Sequence, residues 1–564
     1  MNNKQLIECV PNFSEGRDMT IIKQITDTIE SVDGVKLLDV DPGAATNRTV
    51  VTFVGEPKPV IQAAFLAIEK ASELIDMSKH KGEHPRMGAT DVCPLIPISN
   101  ISMEEVIKYA HELGEMVGSE LDIPFYMYES AATKPAWKNL ATIRAGEYEA
   151  LPEKLTQAEW KPDYGPAKFN PKTGATAIGA RDFLIAYNVN LNTSSVRRAN
   201  SVAFDVREKG RTKRKGHPIT GKVVRDRQGN PERVPGSCKA VKGIGWFIEE
   251  YGIAQISMNL TDISVTPLHM AFEACRRSAD QRGLRVTGSE LVGLVPLKVM
   301  LDAGAYFLKK QQRSVGISEE ELINIAVKSL GLDELAPFDP SKKIIEYQLT
   351  SANTAPLLNM DLRAFANETA SESPAPGGGS IAAYVGALGV SLATMVANLS
   401  SHKRGWDERW EEFSEWAQKG QENKDALLKL VDEDTHSFNA IMEASRLPKT
   451  TPAEAELRHQ AIQDATRYAI EVPFTVMKLS LASFEIIQEM AQIGNPNSVT
   501  DAGVGALCAR TAVHGAFLNV KINSADLEDK KYVTKMLREG KKMISKANKL
   551  EKEILKIVHG KLDS

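Results

Sequence analysis

The spacing of hydrophobic positions changes character along this chain. In the first third, short runs rich in strand formers alternate with longer runs at helical spacing. Leu6-Ile7-Glu8-Cys9-Val10, Val35-Lys36-Leu37-Leu38-Asp39-Val40-Asp41 and Thr49-Val50-Val51-Thr52-Phe53-Val54 read as strands with turn residues between them. Val60, Ala64, Ala67, Ile68, Ala71 and Ile75 share one helical face. A strand over 92–98 follows, then a helix marked by Val106, Ala110, Leu113 and Val117, then the strand Phe125-Tyr126-Met127-Tyr128. This order predicts helices packed on a sheet over residues 1–180.

A second unit repeats the architecture without repeating the sequence. Strands at 183–190 and 254–260 enclose a helix over 195–208, and helices near 267–281, 297–311 and 319–330 complete it. From 332 to 356 prolines and polar residues suggest a linker. Beyond it strand signals nearly vanish. Trp406, Trp410, Phe413 and Ala417 repeat at helical spacing, as do Ala426, Leu427 and Leu430, and later Phe474, Met477, Leu481 and Phe484. Residues 357–564 are therefore expected to form a helical bundle. The expected division is 1–180, 181–331, a linker over 332–356, and 357–564.

Composition narrows the functional classes. At 564 residues the chain exceeds the size at which one core keeps growing. Its 42% hydrophobic and 25% charged residues are those of an ordinary globular protein. A net charge of -4 supplies no global attraction to nucleic acid or membrane, so small molecules and copies of the chain itself are the expected partners. Cys9, Cys93, Cys238, Cys275 and Cys508 are scattered and never form a CxxC pair, which argues for a reducing compartment and against structural zinc. Met1 to Lys4 lead straight into a strand without a signal peptide's apolar core, so the expected location is cytoplasmic. Ile381 to Ala397 carries no charge, but it is rich in Ala, Gly, Ser and Thr. A buried helix is expected there rather than a membrane span.

The densest candidate chemistry is the segment Lys79 to Asp91, with His80, Glu83, His84, Arg86 and Asp91 punctuated by Gly82, Pro85 and Gly88. It reads as an ordered loop. His80-x-x-Glu83-His84 is an inverted zinc-like spacing, but Gly82 and Pro85 break the helix that such ligands need, and no third ligand stands out. General acid/base work by a histidine and histidines that merely satisfy loop backbone groups both remain open. Asp39, Asp41, Asn47 and Arg48 sit at strand ends where one sheet could bring them beside this loop, although Asp41-Pro42-Gly43 is also a good turn. The irregular stretch Asp163 to Thr176 offers aromatic faces and lysines at a subdomain boundary, as a linker also would. Lys209 to His217 is a basic run continuing to Lys239, either a solvated loop or a landing site for a polyanion. Ala375-Pro376-Gly377-Gly378-Gly379-Ser380 is neither a Walker A loop nor GxGxxG; it is a linker or an anion-holding turn at a helix start. Asp432-Glu433-Asp434-Thr435-His436 lies in an apolar helical context, so one acid could point inward.

Taken together, Cys9-Val10-Pro11-Asn12-Phe13-Ser14-Glu15-Gly16, Asn47-Arg48-Thr49-Val50, Gly82 to Asp91, Ile143 to Glu149, Gly243-Ile244-Gly245-Trp246, Leu291 to Pro296, Ala375 to Ser380 and Leu447-Pro448-Lys449 resemble the bifunctional formimidoyltransferase-cyclodeaminase family along nearly the whole chain. The resemblance implies two ferredoxin-like α+β subdomains followed by an all-α, dimerising helical domain. It implies transfer of the formimino group of N-formimino-L-glutamate to N5 of tetrahydrofolate with release of glutamate. Closure to 5,10-methenyltetrahydrofolate with loss of ammonia would follow. It places the catalytic histidine at His84, acidic positions at Asp41 and Glu250, and the second site's acid at Asp434, with Asp432 the nearest competitor. The folate-binding segment falls on Gly165-Pro166-Ala167-Lys168-Phe169-Asn170-Pro171-Lys172-Thr173-Gly174. Tetrahydrofolate, polyglutamylated, would be a cosubstrate, with no metal, no nucleic acid, and a homo-oligomer formed through the helical domain. The basic stretch to Lys239 is longer than the family's usual connection, and its expected role is to hold the anionic folate tail. The competing readings are a chain with one active half, for instance a methenyltetrahydrofolate cyclohydrolase, and a folate-binding scaffold without catalysis.

Overall fold

A computed structural model describes residues 5–44, 46–82, 84–216, 220–349 and 355–563. The chain divides into two units, 1–299 with 330–349, and 300–329 with 350–564.

The first unit opens with β1 (Leu6–Cys9), β2 (Asn12–Phe13), α1 (Met19–Glu30), β3 (Val35–Gly43), β4 (Arg48–Gly55), α2 (Pro57–Leu74), β5 (Thr90–Ser99), α3 (Met103–Glu120), β6 (Phe125–Glu129) and β7 (Thr176–Ala180). β1 and β2 are successive pieces between β4 and β5; β3 flanks β4, and β7 then β6 extend the other edge. Both pairings of β7 are parallel, and the rest are antiparallel. Alternation explains the burial: Ile7, Cys9, Val51 and Phe53 turn one way into a core with Ile25, Val60 and Leu113 from the three helices. Ser102 and Glu105 form a capping box that starts α3. Short helices between Pro135 and Lys154 cover part of the other face, where Trp137, Ile143 and Leu151 pack with Val92, Tyr126 and Tyr128.

A four-stranded antiparallel sheet follows, with spatial order Val241–Ile248, Ile253–Leu260, Ile185–Leu191, Val286–Val292. The helices Val196–Val206 and Leu268–Asp280 complete this second layer. The expected strand at 183–190 and helix at 195–208 are therefore present with small boundary changes, while Val241–Ile248 and Val286–Val292 are strands that periodicity missed. The basic segment is not featureless: Arg211–Thr212 pairs with Arg233–Val234, and Arg214–Lys215 with Lys222–Val223. His217 of that run lies outside the described residues.

In the stretch 332–356, residues 340–343 and 345–349 form short helices, and Ile345 packs with Leu38 and Val54 of the first sheet. Residues 350–354 lie outside the described residues. The helices Leu297–Lys310 and Glu319–Leu330 straddle the division, with 300–329 grouping with the helical unit. Their connection is bonded there: Val315 N–H donates to Ser414 Oγ at 3.0 Å, and the Gly316 carbonyl accepts from Asn398 and Gln421.

The second unit is mostly helical, with long helices Gly378–Ser401, Trp410–Arg446, Pro452–Ile493, Val499–Asn523 and Lys530–Leu562. Phe413, Leu427, Phe474, Phe484 and Ile487 lie in its core. Trp406, expected on the helix, precedes it and stacks on Phe413 at 5.4 Å instead. Gly378–Ser401 is long and apolar enough to span a membrane by composition, with mean hydropathy 1.7, but 61% of its most apolar window is buried inside the bundle. Its small residues permit close packing, and the helix backbones meet at Gly389 and Gly505.

Candidate active sites

The loop from 79 to 91 is held by partners distant in sequence. The β3–β4 connection supplies Asn47, whose Nδ2 donates to the Lys81 carbonyl at 3.2 Å. His80 is spent on this scaffold: Arg86 Nε donates to its Nδ1 at 3.3 Å, so its Nε2 donates to the Asn47 carbonyl at 2.8 Å. Arg86 also pairs with Glu147 and Glu149, at 3.1 and 2.7 Å. Glu83 lies outside the described residues.

His84 is held differently. Its Nδ1 donates to the Pro85 carbonyl at 2.7 Å, which in the neutral imidazole leaves Nε2 an acceptor. Burial and the nearby guanidiniums of Arg48 and Arg144 push its pKa down to about 4, against smaller opposing effects of the Pro85 carbonyl and Asp91. Those cations belong to a buried triad. Asp91, fully buried, pairs with both Arg48 and Arg144 and accepts from the Met87 N–H at 3.0 Å. Despite burial, the two guanidiniums hold the Asp91 carboxyl below its ordinary value. Arg48 is fixed again by Asn12 Oδ1, at 3.0 and 2.8 Å from its Nε and Nη2.

Asp41, near the end of β3, is half-buried; burial and then Asp39 push its carboxyl up, and Lys343 pulls it down. Glu250 is exposed in the turn between two strands of the second sheet. The two meet electrostatically at Tyr251, whose hydroxyl is raised by burial, Glu290, Glu250 and Asp41.

The segment 165–174 is laced onto the histidine loop. Ala89 N–H donates to the Thr173 carbonyl at 2.8 Å, Ala175 N–H to the Met87 carbonyl at 2.9 Å, and Met77 N–H to the Lys172 carbonyl at 2.9 Å. Asn170 caps its own turn by accepting from the N–H groups of Lys172 and Thr173. Tyr148 donates to the Pro171 carbonyl at 2.7 Å and packs on Phe169, while its own N–H reaches the Arg86 carbonyl. Lys168 is exposed, whereas Lys172 donates to the Glu73 carbonyl.

In the helical unit two neighbouring acids have different fates. Asp432 is the more buried, and its carboxylate accepts from the Leu357 and Leu358 N–H groups at 2.9 and 3.2 Å. Asp434 faces the start of helix Gly378–Ser401, where its Oδ2 accepts from Ser380 N–H at 3.0 Å. Ser380 Oγ donates onward to the Val431 carbonyl at 2.8 Å. The glycine turn is required here, because a Cβ at Gly379 would stand 2.1 Å from Asp434 Oδ1. Burial raises the Asp434 carboxyl, with the Ser380 bonds pulling the other way. Among the described residues no group of three or more His, Cys, Asp and Glu is arranged to hold a metal ion.

Residues 6–181 match the family description "Formiminotransferase domain, N-terminal subdomain", 186–350 match "Formiminotransferase domain", and 361–542 match "Formiminotransferase-cyclodeaminase". The chain is 46% identical over 526 residues to the formimidoyltransferase-cyclodeaminase of Mus musculus, covering 93% of each. It belongs to the formimidoyltransferase-cyclodeaminase family. Single-activity proteins match the halves of this family chain separately. A glutamate formimidoyltransferase of Streptococcus pyogenes serotype M1 is 40% identical over 54% of this chain and 94% of its own length. A methenyltetrahydrofolate cyclohydrolase of Methylorubrum extorquens is 31% identical over 36% of this chain and 99% of its own.

The structure thus joins the loop that carries His84 to residues 165–174 by backbone hydrogen bonds, relates Asp41 and Glu250 through Tyr251, and sets Asp434 in the other unit. The Arg48–Asp91–Arg144 triad was not singled out from sequence. Its members stood inside the family segments, but 43 and 53 residues separate the partners, and no local spacing exposes such a pairing.

Proposed function

We infer that this chain is a bifunctional folate enzyme of histidine degradation. It transfers the formimino group from N-formimino-L-glutamate to N5 of tetrahydrofolate, releasing glutamate, and then closes 5-formiminotetrahydrofolate to 5,10-methenyltetrahydrofolate with release of ammonia. The observation that carries the reading is full-length similarity to a two-activity relative, with a separate acid/base group in each unit.

In the first step N5 attacks the formimino carbon while His84 Nε2 takes the proton from that nitrogen. The carbon–nitrogen bond to glutamate then breaks, and the imidazolium returns the proton to the departing nitrogen. The cationic amidine of the donor is held by carboxylates, with Asp41 and Glu250 the family-matched candidates. The segment Gly165 to Gly174, bonded to the histidine loop, holds the folate beside His84. In the second step N10 attacks the same carbon and ammonia leaves, with Asp434 supplying the proton.

The finer features of this reading follow from particular placements. With β1 and β2 counted as one strand, the first sheet up to β5 runs strand, helix, two strands, helix, strand, as the long strands and helices of the second sheet do, and their shared spatial order supports a ferredoxin-like core for each subdomain. Leu388, Met395 and Leu399 on one helix and Val504 and Leu507 on its neighbour are exposed, which supports a homo-oligomer in which a second copy covers this apolar face. The basic ribbons over 209–239 suit an anionic polyglutamate tail on the folate. The scattered cysteines support a cytoplasmic location.

The Methylorubrum extorquens relative, which matches 36% of this chain, favours one alternative, a helical half acting as a methenyltetrahydrofolate cyclohydrolase. Supplying formiminoglutamate and tetrahydrofolate while following glutamate, ammonia and methenyltetrahydrofolate separately decides between them. The bifunctional reading predicts all three in equal amounts. Glutamate without ammonia, together with hydrolysis of added methenyltetrahydrofolate, would establish the alternative.

A further inference from the structure

The second sheet has a face that its alternation does not explain. Ile185, Tyr187, Val189 and Leu191 are buried in register, as expected for a half-buried strand. Asn188 and Asn190 point to the opposite face, yet Asn190 is 0% exposed and Gln255 beside it 1%. Buried amides must be oriented by partners, and these are. Trp246 Nε1 donates to Gln255 Oε1 at 3.2 Å, Gln255 Nε2 donates to Asn190 Oδ1 at 2.9 Å, and Asn190 Nδ2 donates to Glu334. The same Gln255 Nε2 reaches Glu290 Oε2 at 3.4 Å, and Asn188 Nδ2 reaches that oxygen at 3.1 Å. Glu290 is thus fixed by two neutral amide donors on one oxygen. The hydroxyl of Tyr251, on which Asp41 acts from the first sheet, lies within the electrostatic reach of Glu290 as well.

The two amides that hold Glu290 are neutral, so they orient its carboxylate without forming an ion pair with it. The formimino group, an amidine, is cationic when protonated. A formyl group has the same shape but presents a neutral acceptor oxygen, which would face the Glu290 carboxylate without a proton between them. We propose that Glu290, oriented by Asn188 and Gln255, receives the cationic formimino group of the donor. On this proposal Glu290 sets the transferase site's preference for formimino over formyl donors. Glu250, exposed in the neighbouring turn, adds charge to the same region without this fixed orientation.

The proposal rests on the transferase reading, and the test separates the two. Glu290→Gln keeps the shape and removes the charge. Its KM for N-formimino-L-glutamate is expected to rise at least tenfold with a smaller change in kcat, while the Ki of N-formyl-L-glutamate as a competitive inhibitor stays constant or falls. The ratio of Ki to KM should therefore drop at least tenfold. A far-UV circular dichroism spectrum and thermal midpoint equal to wild type report that the chain is folded. If Glu290→Gln fails that control, Tyr251→Phe is read by the same ratio and should move it in the same direction. A ratio that stays at the wild-type value, or KM and Ki rising together, overturns the proposal. Failure of the wild-type chain to release glutamate from N-formimino-L-glutamate and tetrahydrofolate would instead overturn the transferase reading beneath it.

Discussion

In the α/β unit the proposed acid/base group is an imidazole pushed down to a pKa of about 4, whereas in the helical unit it is a carboxyl pushed up. Burial is the largest cause of both shifts, because a site poor in water penalises whichever form is charged. The consequence is opposite for a base and an acid. A neutral His84 is ready to take a proton from an attacking amine. A carboxyl kept closer to neutral is ready to give one to departing ammonia. The surroundings then diverge: Arg48 and Arg144 reinforce the effect at His84, while at Asp434 the Ser380 bonds oppose it. One desolvation principle thus serves two chemistries, with nearby polar groups setting the degree.

The largest effect expected is at Asp434. Asp434→Asn should slow ammonia release by about 10² to 10⁴. Asp432→Asn should leave that rate near wild type and lower the unfolding free energy by about 1–3 kcal/mol, since a buried carboxylate holding two N–H groups is lost. Parallel rate measurements and denaturant titrations check the pair, and equal rate losses would erase the distinction between the two acids.

Glu8 sharpens the comparison as a buried acid outside either proposed mechanism. Burial raises it from 4.5 to about 7, with Arg181 opposing and Glu346 adding to the shift. Between those pH values the folded chain keeps a proton that the unfolded chain has released, so stability falls as pH rises. At 1.4 kcal/mol per pH unit the loss amounts to about 3 kcal/mol by pH 7. Glu8→Gln should flatten that slope in unfolding experiments from pH 4.5 to 8, and an unchanged slope would mean that burial is not controlling the group.

The smallest effect tests the cations at His84. Arg144→Gln removes a positive charge that disfavours the imidazolium, so the acid limb of kcat/KM for transfer should move up by about one pH unit. A limb that stays in place would show that Arg144 does not contribute to the shift.

The strands and helices with clean alternation were legible because each buries a regular face. Val241–Ile248 was not, because its glycines look like loop signals. At Gly245 a Cβ would come within 2.3 Å of the Asn200 backbone nitrogen, so the helix above requires that glycine in a strand. The loop 79–91 stood out by local density of chemistry and the resemblance pointed to His84 within it, but its low pKa depends on burial and on Arg48 and Arg144, which reach it through the fold. The resemblance set Asp434 ahead of Asp432; what meets each acid, Ser380 in one case and the Leu357–Leu358 backbone in the other, is visible only in the fold. Helical periodicity carries no such information.

The most direct test of two independent acid/base centres is to assay both partial reactions in His84→Ala and Asp434→Asn. His84→Ala is predicted to release no glutamate from formiminoglutamate and tetrahydrofolate, yet to convert supplied 5-formiminotetrahydrofolate at the wild-type rate. Asp434→Asn is predicted to release glutamate at the wild-type rate and to accumulate 5-formiminotetrahydrofolate. Loss of both partial reactions in either folded variant, or full retention of both in either one, would contradict the account.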